Sequence, residues 1–308
     1  MMGFVLAAGL GERLRPLTDL VPKPLTPVMN VPALAYSLML LREAGIEEVV
    51  VNLHHLPGVI RDYLESKNRF GFKIHYSPEK EILGTGGGVK KCEHLLGGGD
   101  FALVNGDIVS DIDLRKLIDR HRAAGSAGTL GLCRTGAAGP VSVKDGRVAD
   151  FKNFLGTGLP GALEYTGVAV LSPEIFRHLE RGPSSIVYTG YTALVKHTGL
   201  DYYEHRGFWR DLGTVESYRE ASMALLEDDR GLGARLSSAM GVEMRAVDEE
   251  ARLMAGAKLR RCVAGAGCVV GENAEVRDSV LLPGSVVRSG AVVEKAVVCG
   301  ERALAAGP

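Results

Sequence analysis

Short apolar runs alternate with amphipathic stretches over the first 133 residues, and no other feature of the chain restricts its fold as much. The runs at residues 4–6, 48–53 (EVVVNL), 72–76, 101–104 and 129–133 have strand length. Near-continuous apolarity is the mark of strands buried on both faces. Between them, residues 32–44, 58–67, 85–96 and 113–124 read as helices, the first of them stopped by Gly45. Strand and helix in turn predict an α/β fold, with a Rossmann-like, mostly parallel sheet and helices on both faces. In such sheets ligands bind beyond the C-terminal ends of the strands. Three polar loops are expected at that edge: residues 7–13, the glycine-rich loop at 83–88, and Asn105-Gly106-Asp107.

The texture changes after Val141. Residues 141–143 and 147–151 form a predicted hairpin about the Lys144-Asp145-Gly146 turn, and residues 163–171 (LEYTGVAVL) a further strand. Ser172-Pro173 carries helix-start signals, residues 192–197 read as helical, and Thr214 caps a helix over 215–226. That helix closes a first domain expected at 1–228, with a polar connection over 229–250. In 251–308 the pattern differs again. Val270, Val276 and Leu282 recur every six residues, and Val287, Val293 and Cys299 continue after one five-residue step. A six-residue period fits the sides of a parallel β-helix. About two coils are expected, and so short a solenoid is marginal alone. It is therefore expected to pack on the first domain or in a homo-oligomer.

The balance of 36 Lys and Arg against 37 Asp and Glu offers no electrostatic reason to bind nucleic acid or a membrane surface. No apolar run approaches the ~18 residues of a membrane span. The N-terminus leads straight into a strand, so no signal peptide is expected. The five cysteines form no C-x-x-C pair, and their odd number argues against a disulfide framework. A cytoplasmic location is expected.

The opening stretch, VLAAGLGERLRPLTDLVPKPLTP, runs from a strand into small residues, then to Arg13 and Lys23. Small residues let a backbone approach a ligand, and successive N–H groups there can cradle phosphate. Arg13 offers a forked donor and Lys23 a point charge, on a segment stiffened by Pro22 and Pro24. An ordinary strand-to-helix turn with a solvated Arg and Lys fits these residues equally well. Asp107 suits Mg²⁺, which takes few protein carboxylates beside substrate phosphates, and suits a turn-forming role too. Asp211, two residues after the only Trp, stands in the same position. Gly9-Leu10-Gly11 lacks the third glycine of a dinucleotide fingerprint, and the chain has no Walker motif, H-E-x-x-H or G-x-S-x-G. His54-His55 follows a buried strand and reads as structural.

These motifs together resemble the sugar-phosphate nucleotidyltransferases. LAAGLGERLRPLT followed by PKPL is similar to that family's L-A-A-G-x-G-x-R-[LM]-x-P-L-T then P-K-P. Leu83-Gly84-Thr85-Gly86-Gly87 resembles its L-G-T-A-G, with Gly86 in place of Ala. Asn105-Gly106-Asp107 resembles its N-G-D, and Trp209-Arg210-Asp211-Leu212-Gly213-Thr214 its W-x-D-[IL]-G-T. The tail resembles the left-handed β-helix of many members, particularly those like mannose-1-phosphate guanylyltransferase. The resemblance implies that a nucleoside triphosphate and a sugar 1-phosphate become an NDP-sugar and pyrophosphate, with Mg²⁺ as cofactor. It implies that Leu6, Ala7, Ala8 and Gly9 meet the base and ribose, helped by Gly84, Thr85 and Gly86. Gly11 to Arg13 would wrap the triphosphate, Arg13 and Lys23 would be catalytic, and Asp107 and Asp211 would hold the metal. Asn105, Gly139, Lys152, Glu164 and Thr166 would serve the sugar phosphate. Lys152 lies in Phe-Lys-Asn where the family has E-K-P, and Tyr165-Thr166-Gly167 replaces its N-A-G. The implied substrates are GTP with mannose 1-phosphate; relatives use UTP or dTTP with glucose, heptose or muramate phosphates. An acyltransferase built on the coil would want a base such as His, and none follows His205. A non-catalytic NDP-sugar sensor is the other alternative.

Overall fold

The computed structural model describes residues 1–136 and 138–305. By contact the chain falls into two compact units, residues 1–10 with 37–209, and residues 11–36 with 210–308. Residues 306–308 of the expected coil lie outside the described residues.

The first unit is built on a nine-stranded sheet. Its strands are β1 (Met2–Leu6), β2 (Glu48–Leu53), β3 (Lys73–Pro78), β4 (Phe101–Asn105), β5 (Gly128–Cys133), β6 (Val141–Lys144), β7 (Arg147–Phe151), β8 (Glu164–Leu171) and β9 (Asp201–His205). They lie in the order β3-β2-β1-β4-β8-β5-β9-β7-β6. β8 is antiparallel to both its neighbours, and β7 to both of its own. The other strands share one direction, as the alternation predicts. β5 does not pair with β4, because β8 lies between them. β8 is buried from Thr166 to Leu171, and a strand apolar along its length needs a neighbour on each side. Helices Pro57–Ser66, Gly84–Lys91 and Leu114–Ala124 flank the sheet. The helix expected over 85–96 breaks at Cys92 and resumes as one turn, Glu93–Leu96. Asp113 caps Leu114–Ala124 by accepting from the Lys116 amide at 3.1 Å.

Register aligns the strand ends. Leu6 pairs with Asn105, Val5 with Val51, and Leu53 with Pro78. The loops after β1, β2, β3 and β4 therefore leave one edge of the sheet, as expected. Phe4, Phe101, Leu103 and Ala169 are fully buried in the core beneath them, and Phe101 stacks on Phe176 with ring centroids 5.6 Å apart.

The second unit holds the segment after the first loop, the helix Val215–Glu227, and the coil. Thr214 caps that helix in a reciprocal capping box with Ser217. The connection expected over 229–250 contains a helix, Leu232–Met240, with Leu232, Leu236 and Met240 buried at four-residue spacing. Left-handed Gly231 and Gly241 bracket it. The coil has three faces of three parallel strands each, one of them extended by the antiparallel strand Arg302–Ala305, giving three coils where two were expected. Val270 pairs with Val287 and Leu281 with Val298, each 17 residues on. The inward positions are Ala264, Val270, Val276, Leu281, Val287 and Val298. Five-residue steps thus fall between 276 and 281 and, with Val293 packed against the same core, between 293 and 298, so Leu281 and Val298 take the places expected for Leu282 and Cys299. The coil before Val270 escaped the apolar pattern because its inward residues include the small Ala264, and because Leu253 remains 48% exposed. Among the described residues no helix is long and apolar enough to cross a membrane.

Candidate active site

In the first unit, the loop after β1 is held from below. The Ala7 amide donates to the buried Asn52 side chain at 2.7 Å. The Leu6 carbonyl accepts from the Gly106 amide at 2.9 Å, joining the loop to the turn that carries Asp107. Gly9 is exposed, and a β-carbon on it would meet nothing within 4 Å. The backbone there is open to a ligand. Asp107 is half-buried in the turn between β4 and the short strand Ile108–Ser110.

The second glycine-rich loop opens the helix Gly84–Lys91 and is used differently. Gly84 has φ +66, and a β-carbon on it would lie 2.5 Å from the Ser184 carbonyl oxygen. The Gly86 amide donates to that same carbonyl at 2.9 Å, and the Thr85 hydroxyl accepts from the Ile186 amide at 2.9 Å. A β-carbon on Gly86, where the resembling motif has Ala, would lie 2.6 Å from the Ser184 hydroxyl. Serine occupies the space of the missing methyl. These residues stand at the expected edge, with several of their polar groups committed to the chain itself.

On the side expected for the sugar phosphate, Asn105 and Thr166-Gly167 come together. A β-carbon on Gly167 would lie 2.7 Å from the Asn105 amide group. Thr166 is fully buried, and its hydroxyl donates to the Gly131 carbonyl at 2.8 Å. Its own carbonyl accepts from the Trp209 indole at 2.8 Å. Thr166 therefore braces Trp209, with its hydroxyl donated to Gly131, while Gly167 lies against Asn105. Glu164 opens β8, opposite Cys133. Gly139 packs on Leu163, whose carbonyl oxygen a β-carbon would meet at 2.1 Å. Lys152 is exposed in a left-handed conformation, φ 50, followed by Asn153 at φ 56. Asp150 holds that loop. Its buried carboxylate accepts from the amides of Phe151 (2.7 Å), Leu155 (2.9 Å) and Thr157 (3.2 Å), and from the Thr157 hydroxyl (2.9 Å). Burial opposes its charge, but these donors outweigh burial and keep the carboxyl below its ordinary range.

In the second unit, Gly11 is left-handed, φ +67, and its carbonyl accepts from the Thr18 hydroxyl at 2.8 Å. A β-carbon there would lie 3.2 Å from Lys23 Cβ, so the glycine and the lysine are neighbours. Lys23 is buried in the turn Lys23–Leu25. Arg13 is exposed. A β-carbon on Gly213 would lie 3.1 Å from Arg13 Nη2 and 2.9 Å from an Asp211 carboxylate oxygen. The fold thus brings Arg13 and Asp211 to one corner, although they stand far apart in sequence. The Gly213 amide donates to Asp211 at 3.1 Å and orients its carboxylate.

Asn52, Glu79, Asp150 and Ser184 were not singled out in the sequence. Three of them carried a readable signal, a polar side chain within or at the end of a strand, where burial demands a partner. Ser184 carried none.

A family model described as Nucleotidyl transferase matches residues 2–142. One described as GlmU-like, C-terminal hexapeptide, matches residues 238–307, in keeping with a left-handed β-helix. The chain is 34% identical over 228 residues to N-acetylmuramate alpha-1-phosphate uridylyltransferase of Neisseria meningitidis, covering 72% of this chain and 96% of that protein. It is 29% identical over 226 residues to mannose-1-phosphate guanyltransferase of Hypocrea jecorina, covering 71% of this chain and 62% of that protein. It thus spans less than two thirds of the length of the guanyltransferases it matches, 63% in the case of Candida glabrata. UDP-glucose pyrophosphorylase of Acinetobacter baumanii shares its fold, with TM-score 0.64, 22% identity, and coverage of 77% of this chain and 97% of that one. With its loop-bearing sheet edge, its Arg13–Asp211 corner and a relative matched along almost its full length, the chain belongs to the nucleotidyl transferase family.

Proposed function

We propose that this protein transfers a nucleotidyl group from a nucleoside triphosphate to a sugar 1-phosphate, releasing pyrophosphate. The observation that carries the reading is the convergence of Arg13 and Asp211 on Gly213, which sets a forked cation beside a carboxylate. A sugar phosphate oxygen attacks the α-phosphorus, the bond from that phosphorus to the bridging oxygen breaks, and pyrophosphate leaves with the electron pair. A phosphomonoester (second pKa ~6) is already largely ionised at neutral pH, so the step needs no general base. Positioning and cancellation of anionic repulsion suffice. Arg13 and Lys23 supply the cationic groups, with the open backbone at Gly9 against the nucleoside. Asp107 and Asp211 would hold Mg²⁺, which when bound neutralises phosphate charge. Hard carboxylate oxygens suit that ion, which needs only one or two of them beside phosphate. Among the described residues no group of three or more His, Cys, Asp or Glu comes together as an all-protein cage. Asn105, Lys152 and Glu164 serve the sugar phosphate.

GTP with mannose 1-phosphate is the first substrate pair. The 34% identity to an N-acetylmuramate 1-phosphate uridylyltransferase supports UTP with that sugar phosphate as the second. We take residues 1–228 as the transferase portion and the coil as the element of self-association, in a cytoplasmic enzyme. Pyrophosphate release is measured with Mg²⁺ across GTP, UTP and dTTP and the mannose, N-acetylmuramate and glucose 1-phosphates. One pair is expected to dominate, and Asp107→Asn or Lys23→Ala to lower its turnover about a hundredfold or more with the fold intact. Wild-type turnover in purified Asp107→Asn would remove that residue from the metal role. No release with any pair would favour a sensor.

A further inference from the structure

A buried polar chain runs under both glycine-rich loops of the first unit. The Asn52 carbonyl oxygen accepts from the Ala7 amide at 2.7 Å, and the Asn52 amide donates to Glu79 Oε1 at 2.8 Å. Glu79 Oε2 accepts from the Leu83 amide at 3.0 Å, one residue before Gly84. Asn52 is 1% exposed and Glu79 6%. The Glu79 backbone is held as well, its amide donating to the Leu53 carbonyl at 2.7 Å and its carbonyl lying 3.0 Å from His54 Nδ1. Gly88 makes room for the pair, since a β-carbon there would lie 2.9 Å from both Asn52 Nδ2 and Glu79 Oε1.

Burying a carboxylate is costly unless it is fully hydrogen-bonded. A hydrophobic pair would have filled the same space without that cost. The polar pair does what a hydrophobic pair does not, fixing the direction of two backbone amides. With the Ala7 amide turned inward, the chain that follows presents Gly9 outward while Ala8 stays buried. With the Leu83 amide held, the start of the helix Gly84–Lys91 is set relative to it. We propose that Asn52 and Glu79 are positioning residues that couple the two loops, giving the nucleotide site its shape and its preference among bases. The inference rests on the nucleotidyltransferase reading and adds to it a buried determinant that touches no substrate.

The test reverses the polarity of the pair. Asn52→Asp keeps an acceptor for Ala7 but sets two carboxylates against each other. Glu79→Gln keeps an acceptor for Asn52 but turns a donor toward the Leu83 amide. In the double variant, Asp accepts from both Ala7 and the Gln amide, and the Gln carbonyl accepts from Leu83, so every bond is restored. Calorimetric binding of GTP, UTP and dTTP with Mg²⁺, KM values for both substrates and melting temperatures are measured for all four proteins. Each single variant is expected to weaken binding of the preferred nucleotide about tenfold and narrow its margin over the others. KM for the sugar phosphate should stay within twofold. The double variant should regain most of the loss. Unchanged nucleotide binding in a folded single variant overturns the proposal, as does equal weakening of both substrates or a folded double variant without recovery. If Asn52→Asp fails to fold, Glu79→Gln and the double variant decide. Wild-type binding without pyrophosphate release defeats only the reaction; no nucleotide binding defeats both.

Discussion

The two glycine-rich loops of the sheet edge look alike in sequence and differ in what their glycines do. Gly9 in the first has open space beside its α-carbon. In the second, Gly84, Gly86, Gly87 and Gly88 are each pressed against the chain's own atoms, the tightest being Gly87, whose β-carbon would lie 2.0 Å from the Gly182 carbonyl oxygen. One loop keeps space for something outside the protein. The other gives its space to residues 182–184 and to the Asn52–Glu79 pair. A glycine run therefore reports close approach, without saying whether the approaching atoms belong to a ligand or to the chain.

Substitution separates the two cases. Gly87→Ala should be the most damaging change, costing about 3 kcal/mol through overpacking against rigid backbone. A thermal melt should show Tm lower by roughly 5–10 °C, and an unchanged Tm would mean that the 182–184 segment gives way freely. The Lys152 loop is a third kind, held by the Asp150 carboxylate. Asp150→Asn should cost about 2 kcal/mol at pH 7, the scale of hydrogen bonds to a charged acceptor. Because the folded carboxyl titrates below its ordinary range, the wild-type advantage is full above an unfolded pKa of ~3.9 and is lost as pH falls through the folded value. Denaturation curves for the two proteins should therefore converge in acid; a gap that stays constant down to pH 2 would show that charge is not what holds the loop. The smallest effect on stability belongs to Gly9→Ala. Its Tm should stay within about 1 °C, while nucleotide affinity drops about tenfold as the methyl takes up ligand space. Weakened stability with intact binding would reverse the comparison.

Much of the first unit was legible because buried parallel strands write themselves as apolar runs, and in the second unit a helix cap such as Thr214 is local. The coil was legible in kind and misread in register, since both Leu281 and Leu282 are buried and only pairing with Val298 identifies the inward one. The helix at Leu232–Met240 was missed although its bracketing glycines and four-residue spacing were present, because its polar neighbours dominated the segment's composition. Arg13, Asp211 and Asp107 stood out through motif. Their supports did not, because a support is defined by what it touches. Thr166 illustrates the limit: its position was expected, but the direction of its hydroxyl depends on Gly131, on a neighbouring strand.

The division of contacts has a consequence in time. Residues 11–36 pack with residues 210–308, where the Asn30 amide donates to the Arg245 and Ala264 carbonyls at 2.9 and 3.0 Å. A ribosome working at ~5–20 residues per second takes roughly 9–35 s to make residues 37–209. For that interval the segment bearing Arg13 and Lys23 has been made while its partners in 210–308 have not. A chain released before Arg210 carries the Ala7–Gly9 loop with its charged continuation unanchored. The segment bearing Arg13 and Lys23 is thus among the first parts synthesised and among the last to be set in place.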